Sequence, residues 1–165
     1  LKEVILERVE SKDDSKEFNR LISEFHYLKK PRKHGRQLKY FIKRKDILLG
    51  CIQFSDPVWT VYQKYKMYYN GQIVENSRFL LLKKVKNLGS RALKLFIDKI
   101  KNDWTSKTGI NPKLLISYVD IERGFLGTVY KAANFNIAGK TCGKNLNRWG
   151  ANRSTSVKLL FQYNL

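Results

Sequence analysis

Six side chains in this sequence are of the types that acid–base chemistry uses: His26 beside Tyr27, Glu75 three residues before Arg78, then Asp120 and Tyr130. Group transfer to an amine needs one group to take the amine proton, another to protonate what departs, and a dipole for the oxyanion that develops. Asp120 or Glu75 could take the proton, Tyr130 could supply one, and Arg78 could grip a phosphate or a carboxylate through two N–H groups. The same residues also admit a metal reading, because His26, Tyr27 and Asp120 offer imidazole, phenolate and carboxylate, a donor set that suits iron. Each has a structural use as well. A lone histidine is commonly a satisfied hydrogen-bonder, Glu75 and Arg78 can pair across a sheet, Asp120 can cap a following helix, and Tyr130 can be core. Convergence at one place is what separates a site from these separate uses.

The elements that must position them are readable from periodicity. Leu114 to Tyr118 is an apolar run leading to Asp120, followed by a Gly-bounded segment of helical spacing and a second apolar stretch. That is strand, turn, helix, strand, and it sets the Asp120 carboxylate at the C-terminal edge of a sheet, where open α/β sheets hold ligands. Gly127, Tyr130 and Asn134 fall at i, i+3 and i+7 and are expected on one helix face. Gly127 alone is better explained by close helix–sheet packing.

Upstream, Val4 to Val9 reads as a strand. A helix N-cap at Asp14 or Ser15 precedes Phe18, Leu21, Ile22 and Phe25, an apolar stripe that ends at His26 and Tyr27. The loop after them holds Lys29, Lys30, Arg32, Lys33 and Arg36, either a solvated charge run or a phosphate-contacting loop. Gln37 to Lys43 and Ile47 to Phe54 form a hairpin. Residues 57–70 read as an insertion that interleaves aromatics with Lys64 and Lys66, a composition that stacks on bases and neutralises phosphates, or packs as a helix or lid with snorkelling lysines. Ile73 to Leu82 is a strand. It leads to a helix with Leu93, Phe96, Ile97, Ile100 and Trp104 on its buried stripe, and Gly89 near its start would let an anion approach the amides of Leu88, Gly89 and Ser90. Residues 141–157 read as a mobile basic arm carrying Lys144, Arg148 and Arg153, just after Lys140, and Lys158 to Tyr163 is the last strand.

Composition bounds the partner. The 165 residues are expected to form one domain, since 42% are hydrophobic and 13% aromatic, enough for a core. A net charge of +19 and a pI near 10.0 imply self-repulsion that a polyanion relieves, and DNA is the expected partner. A membrane is not expected, because no apolar run approaches the roughly 18 residues of a spanning helix. Cys51 and Cys142 sit far apart without a CxxC, and no signal peptide is evident, so a cytoplasmic location is expected.

The wording SYVD at Ser117 to Asp120, GFLGTVYKAAN at Gly124 to Asn134 and AGKT at Ala138 to Thr141 resembles the C-terminal motif of the Mom-type DNA-modification proteins of phages and of the related Druantia anti-phage family. FHY at Phe25 to Tyr27, GRQLKYFI at Gly35 to Ile42, ENSRFL at Glu75 to Leu80 and the terminal KLLFQYNL fit the same pattern in order. The resemblance implies a GNAT-like α/β (α+β) fold: a central mixed, mostly antiparallel sheet, helices on both faces, and a splay between the fourth and fifth strands that admits an acyl donor. It places the pyrophosphate of an acyl-CoA-type donor at Leu88 to Ser90, although Gly89 is the one glycine present of the usual donor loop. It also implies modification of an exocyclic base amine, adenine N6 foremost, with the aromatic insertion stacking on the extruded base. Non-catalytic DNA binding in anti-phage defence, and acylation of an RNA or protein amine, are the competing expectations.

Overall fold

Strands whose successive side chains are both apolar build a sheet with two dry faces, and helices must cover each. In this computed structural model, which describes residues 3–146 and 152–165, the order is β1 (Val4–Arg8), α1 (Lys12–Phe25), β2 (Gln37–Arg44), β3 (Ile47–Ser55), α2 (Trp59–Lys64), β4 (Ile73–Leu81), α3 (Leu88–Thr108), β5 (Leu114–Asp120), α4 (Thr128–Ala132), β6 (Asn136–Lys140), β7 (Lys144–Leu146), β8 (Asn152–Ser154) and β9 (Lys158–Asn164). The main sheet runs β1-β2-β3-β4-β5-β9-β6; β4 and β5 are parallel and the other neighbours antiparallel. This is the mixed, mostly antiparallel GNAT-like sheet expected from the sequence.

Adjacent residues feed opposite layers. Val74, Leu115 and Phe161 join Leu88, Ala92, Leu93, Phe96, Ile100 and Trp104 of α3 on one face. Their neighbours Ile73, Leu114, Ile116 and Leu160 pack with Val61 and Tyr62 of α2 on the other, where α1 adds Phe18, Leu21 and Ile22 against Phe41, Cys51 and Leu80. Helices therefore lie on both faces.

Two irregularities in β4 open the middle of the sheet. Its pairing with β5 covers Ile73 to Asn76 against Leu114 to Ser117 and then ends, so the C-terminal halves of these parallel strands fork apart. Opposite β3, Phe54 pairs with Asn76 and Gln53 with Arg78, leaving Ser77 as an extra residue: a bulge at the fork, the device that commonly re-aims side chains beside a site.

Local chemistry corrects several sequence-based boundaries. The N-cap of α1 is Ser11, whose Oγ accepts from the Asp14 amide at 3.0 Å, and Phe25 is exposed rather than part of the buried stripe. The helix after Gly127 is one turn long, so Asn134, at φ 66°, does not share a helix face with Tyr130. Within 57–70 the helix stops at Lys64. Around the expected mobile arm, β7 pairs with β8, and the chain returning to β9 is fixed: Thr155 N–H donates to Gly143 O at 2.8 Å and Lys158 N–H to Thr141 Oγ1 at 2.9 Å. No helix among the described residues is long and apolar enough to cross a membrane.

Candidate functional site

The fork between β4 and β5 opens into a cavity of about 430 Å³, within the usual range for small-molecule sites. His26, Tyr27, Arg78, Asp120 and Tyr130 all line it, although they come from four separate elements or their ends. Phe25, Phe125, Leu126 and Leu81 supply apolar wall. Glu75 does not line it; it sits on β4 one residue before Asn76.

His26 and Tyr27 leave the end of α1 stacked on each other, ring centroids 4.6 Å apart. The imidazole is buried, and its Nδ1 accepts the Leu28 N–H at 3.2 Å. Burial, helped by the positive charge of Arg78, lowers its pKa to about 4, so at neutral pH His26 is an uncharged structural acceptor. Tyr27 lies between two cations: the Arg123 guanidinium is 5.0 Å from its ring centre, and Arg78 acts on it from the β4 side. Burial raises its phenol pKa, the charge of Asp120 adds to this, and both arginines oppose it. Arg78 is partly committed to the fold, because its Nε donates to Lys30 O at 2.6 Å and its Nη1 to Ser77 O, which ties the loop after α1 to the bulge.

Asp120 ends β5 and is only 2% exposed. Its Oδ2 accepts the Ser156 hydroxyl at 2.6 Å and lies 3.4 Å from Arg123 Nε, while its Oδ1 is fully buried with no hydrogen-bond partner among the described residues. A buried acceptor left in that state is costly. Ser156 and Arg123 were missed by sequence reasoning. Arg123 was findable as the residue three after Asp120, but Ser156 is 36 positions away and meets it only through the β5–β9 pairing.

On the other wall, Tyr130 is buried with its hydroxyl 3.0 Å from the Asn76 amide and with Ser117 beside it. The amide orientation that satisfies both ends has Asn76 nitrogen donating to Gln53 O at 3.2 Å and Arg78 O at 3.1 Å, and its oxygen accepting from Tyr130. Burial raises the phenol pKa well above its ordinary value, so Tyr130 holds its proton at neutral pH. Gly127 at the start of α4 has φ 67°, and a Cβ there would stand 2.5 Å from the Phe161 ring: its sequence-level packing role is what the geometry shows. Glu75 also feels burial, which raises its carboxyl pKa against the pull of Arg32, Arg78 and Lys158. It makes no ion pair with Arg78, contrary to the structural reading of that spacing.

At the start of α3, the Leu88 amide is already bonded to Val85 O at 3.2 Å and Ser90 Oγ donates to Asn87 O. A Cβ on Gly89 would fall 2.8 Å from Val129 Cγ1, so this glycine admits α4 against α3. That packing sets the wall formed by Leu81 and Val129.

The basic residues divide by what they touch. Lys29, Lys30, Lys33, Lys66 and Lys140 are exposed. Arg36 turns inward: its Nε meets Asp56 Oδ2 at 2.9 Å and its Nη2 donates to Asn70 Oδ1 at 2.6 Å. Arg32 Nη2 donates to Asp56 O at 3.2 Å, so both arginines brace the loop instead of presenting themselves to phosphate. Lys64 Nζ lies over Tyr65. Lys144 and Arg153 fall in β7 and β8, where the backbone alone is described, and Arg148 lies outside the described residues. None of residues 57–70 lines the cavity, so the insertion is not placed to stack on a base held there.

The iron expectation does not fit these surroundings. Among the described residues no three His, Cys, Asp or Glu side chains converge, the His26 Nδ1 and Asp120 Oδ2 are already engaged, and Arg78 and Arg123 put positive charge where a cation would sit.

Comparison with solved structures gives N-acetyltransferases. Arabidopsis thaliana NAA60 in complex with acetyl-CoA aligns at TM-score 0.65 and 12% identity over 98% of each chain. A mutant of the spermidine N-acetyltransferase SpeG from Vibrio cholerae aligns at TM-score 0.63 and 10% identity, covering 99% of this chain and 95% of that one. The microcin C7 self immunity acetyltransferase MccE, in complex with acetyl-CoA and AMP, aligns at TM-score 0.53 and 12% identity over 78% of this chain, which spans 61% of that protein. At such identities the likeness is one of fold. No curated protein matches the sequence. The family model of the Druantia protein DruA matches residues 2–155, nearly the whole sequence, and the chain belongs to that family.

Proposed function

We propose that this protein is a transferase that acylates an exocyclic amine of a nucleic-acid base, adenine N6 of DNA foremost, a reaction of the Mom type. The observation that carries the reading is the buried Asp120 carboxylate at the forked edge, with one oxygen held by Ser156 and the other unpartnered. A carboxylate in that state, in a cavity that also holds the protonated Tyr130, matches what amine acylation asks of its two proton-handling groups. Asp120 takes the amine proton as the C–N bond forms and the donor's carbonyl–sulfur bond breaks; Tyr130, on the wall of the same cavity, gives a proton to the departing thiolate. An acyl-CoA donor, of the kind bound in two of the structural neighbours, would supply the activated carbonyl. The net charge of +19 favours a polyanionic substrate, and a base must leave its stack to enter a cavity of this size.

The test is nucleoside mass spectrometry of DNA from cells making the protein, with Asp120→Asn as control. A modified nucleoside that falls by a factor on the order of 10² or more in the variant is the expected result. Identical profiles overturn the DNA reading. An acylated amine found instead on RNA or protein keeps the transferase and moves the substrate. A second reading, DNA binding without catalysis in anti-phage defence, is favoured by the family and by Arg78, whose bonds to Lys30 and Ser77 serve the fold.

A further inference from the structure

Residues 57–70 leave their most apolar side chains in solvent. Trp59 is 65% exposed, Met67 78% and Tyr69 80%, while Val61 and Tyr62 are buried anchors that pin the segment to the sheet. Tyr62 Oη accepts the Gly71 N–H at 2.9 Å, which closes the base of the segment. Exposed rings on a fixed mount keep their faces available at little entropic cost.

The basic loop is tied to both ends of this segment. Arg36 bonds Asp56 on one side and Asn70 on the other, Asp56 N–H donates to Arg36 O at 3.1 Å, and Arg32 reaches Asp56 O. The two arginines thus tie loop and segment together, and Lys29, Lys30, Lys33 and Lys66 are exposed. Neither 29–36 nor 57–70 contains an Asp or Glu. Their exposed lysines draw a polyanion to this surface. A duplex would satisfy the lysines and leave the rings unused; unstacked bases would satisfy both.

We infer that the Lys29–Lys33 loop and the Trp59, Met67 and Tyr69 side chains form one docking surface for single-stranded nucleic acid, with bases stacked on the rings and the backbone against the lysines. From Ile73, over which α2 packs, to Ser77 at the fork is ~13 Å of strand. At its other end the surface reaches the cavity wall, where Arg78 Nε donates to Lys30 O at 2.6 Å. It recognises the strand flanking an extruded base. This rests on the nucleic-acid reading above and adds the strand's state and path.

The experiment is fluorescence anisotropy with a labelled 20-nucleotide single strand and the matching duplex, at two salt concentrations, for the wild type, Trp59→Ala/Tyr69→Ala and Lys29→Glu/Lys30→Glu/Lys33→Glu. Circular dichroism confirms that each variant is folded. The aromatic variant is expected to lose about tenfold or more in single-strand affinity per ring, with its salt slope and duplex affinity unchanged. The lysine variant is expected to weaken both ligands and flatten the salt dependence. Single-strand affinity unchanged in the aromatic variant overturns this inference and leaves the nucleic-acid reading standing, as does equal loss for the duplex. Binding of neither nucleic acid by the wild type overturns both. Recovery of full affinity with Trp59→Phe/Tyr69→Phe supports stacking over a structural effect.

Discussion

The fork of β4 and β5 and the loop–segment surface handle polar chemistry in opposite ways. In the fork polar groups are held from inside: His26 takes the Leu28 amide, Tyr130 faces Asn76, and Asp120 takes Ser156 on Oδ2 while its Oδ1 has no partner among the described residues. On the surface the lysines and rings face solvent, and the bonded groups are the arginines underneath. Groups fixed from inside act by geometry and lose function when moved by a fraction of an ångström, whereas exposed charges act through a salt-screened field that tolerates single changes. Under the proposed function the two regions divide the labour: the surface grips a polymer and the cavity chooses an atom.

Substitutions that touch only packing should separate the two regions most. Gly127→Ala puts a methyl 2.5 Å from the Phe161 ring, which is stacked on Tyr130, and forces a side chain into a φ of 67°. The overpacking and the left-handed backbone together are expected to cost about 3 kcal/mol in urea denaturation. Gly124→Ala, at φ 79° with no atom within 4 Å of the added carbon, should lose only about 1 kcal/mol. Exposed Tyr69→Ala should change stability by no more than ~0.5 kcal/mol. Equal losses at Gly127 and Gly124 would mean that the cavity wall is not packing-limited.

Acid should unfold the cavity side by a route the surface lacks. His26 is neutral in the fold down to about 4, while an unfolded histidine takes its proton near 6.5. Above that upper value both states are neutral and the group costs nothing. As pH falls from 6.5 to about 4 the unfolded chain binds the proton first, so stability drops by up to about 3 kcal/mol, and below that no further loss comes from this residue. Urea midpoints of wild type and His26→Gln across that window should therefore converge as the pH is lowered. Parallel curves would show that His26 is free to charge in the fold.

How far the sequence foresaw this arrangement depends on the range over which each cause acts. Periodicity is local, so the hairpin of β2 and β3, the stripe of α3 and the strand ending on Asp120 were legible. The fork was expected through the family resemblance, because parallel strands joined by a long helix leave no local mark of where their pairing stops. Caps were less legible: Ser11 outcompeted Asp14, which instead donates its amide to it. The Gly127–Asn134 stripe failed because a helix of one turn cannot carry an i+7 face, and the chain exits through the left-handed Asn134. Arg36 could not be told from a phosphate ligand, since its ion pair with Asp56 spans 20 positions and depends on the edge of the β2–β3 ladder.

Ser156 offers the subtlest break between the two regions, because it touches the proposed chemistry only through Asp120. Its place is set by its neighbours: Thr155 N–H on Gly143 O, and Val157 N–H donating to Glu122 Oε1 at 2.9 Å. Removing the hydroxyl with Ser156→Ala should therefore leave this backbone in place while freeing the Asp120 carboxylate to turn toward Arg123, 3.4 Å from Oδ2. A hydrogen bond to a charged group is worth about 1.5–3 kcal/mol, of which the surviving Arg123 contact would retain a share, so a fall of about tenfold in turnover is expected. Because Ser156 acts as a positioning residue, the loss should appear in kcat with KM for the nucleic acid little changed, and Ser156→Thr, which keeps the hydroxyl, should restore it. A loss confined to KM would place Ser156 with the gripping surface and not with the cavity.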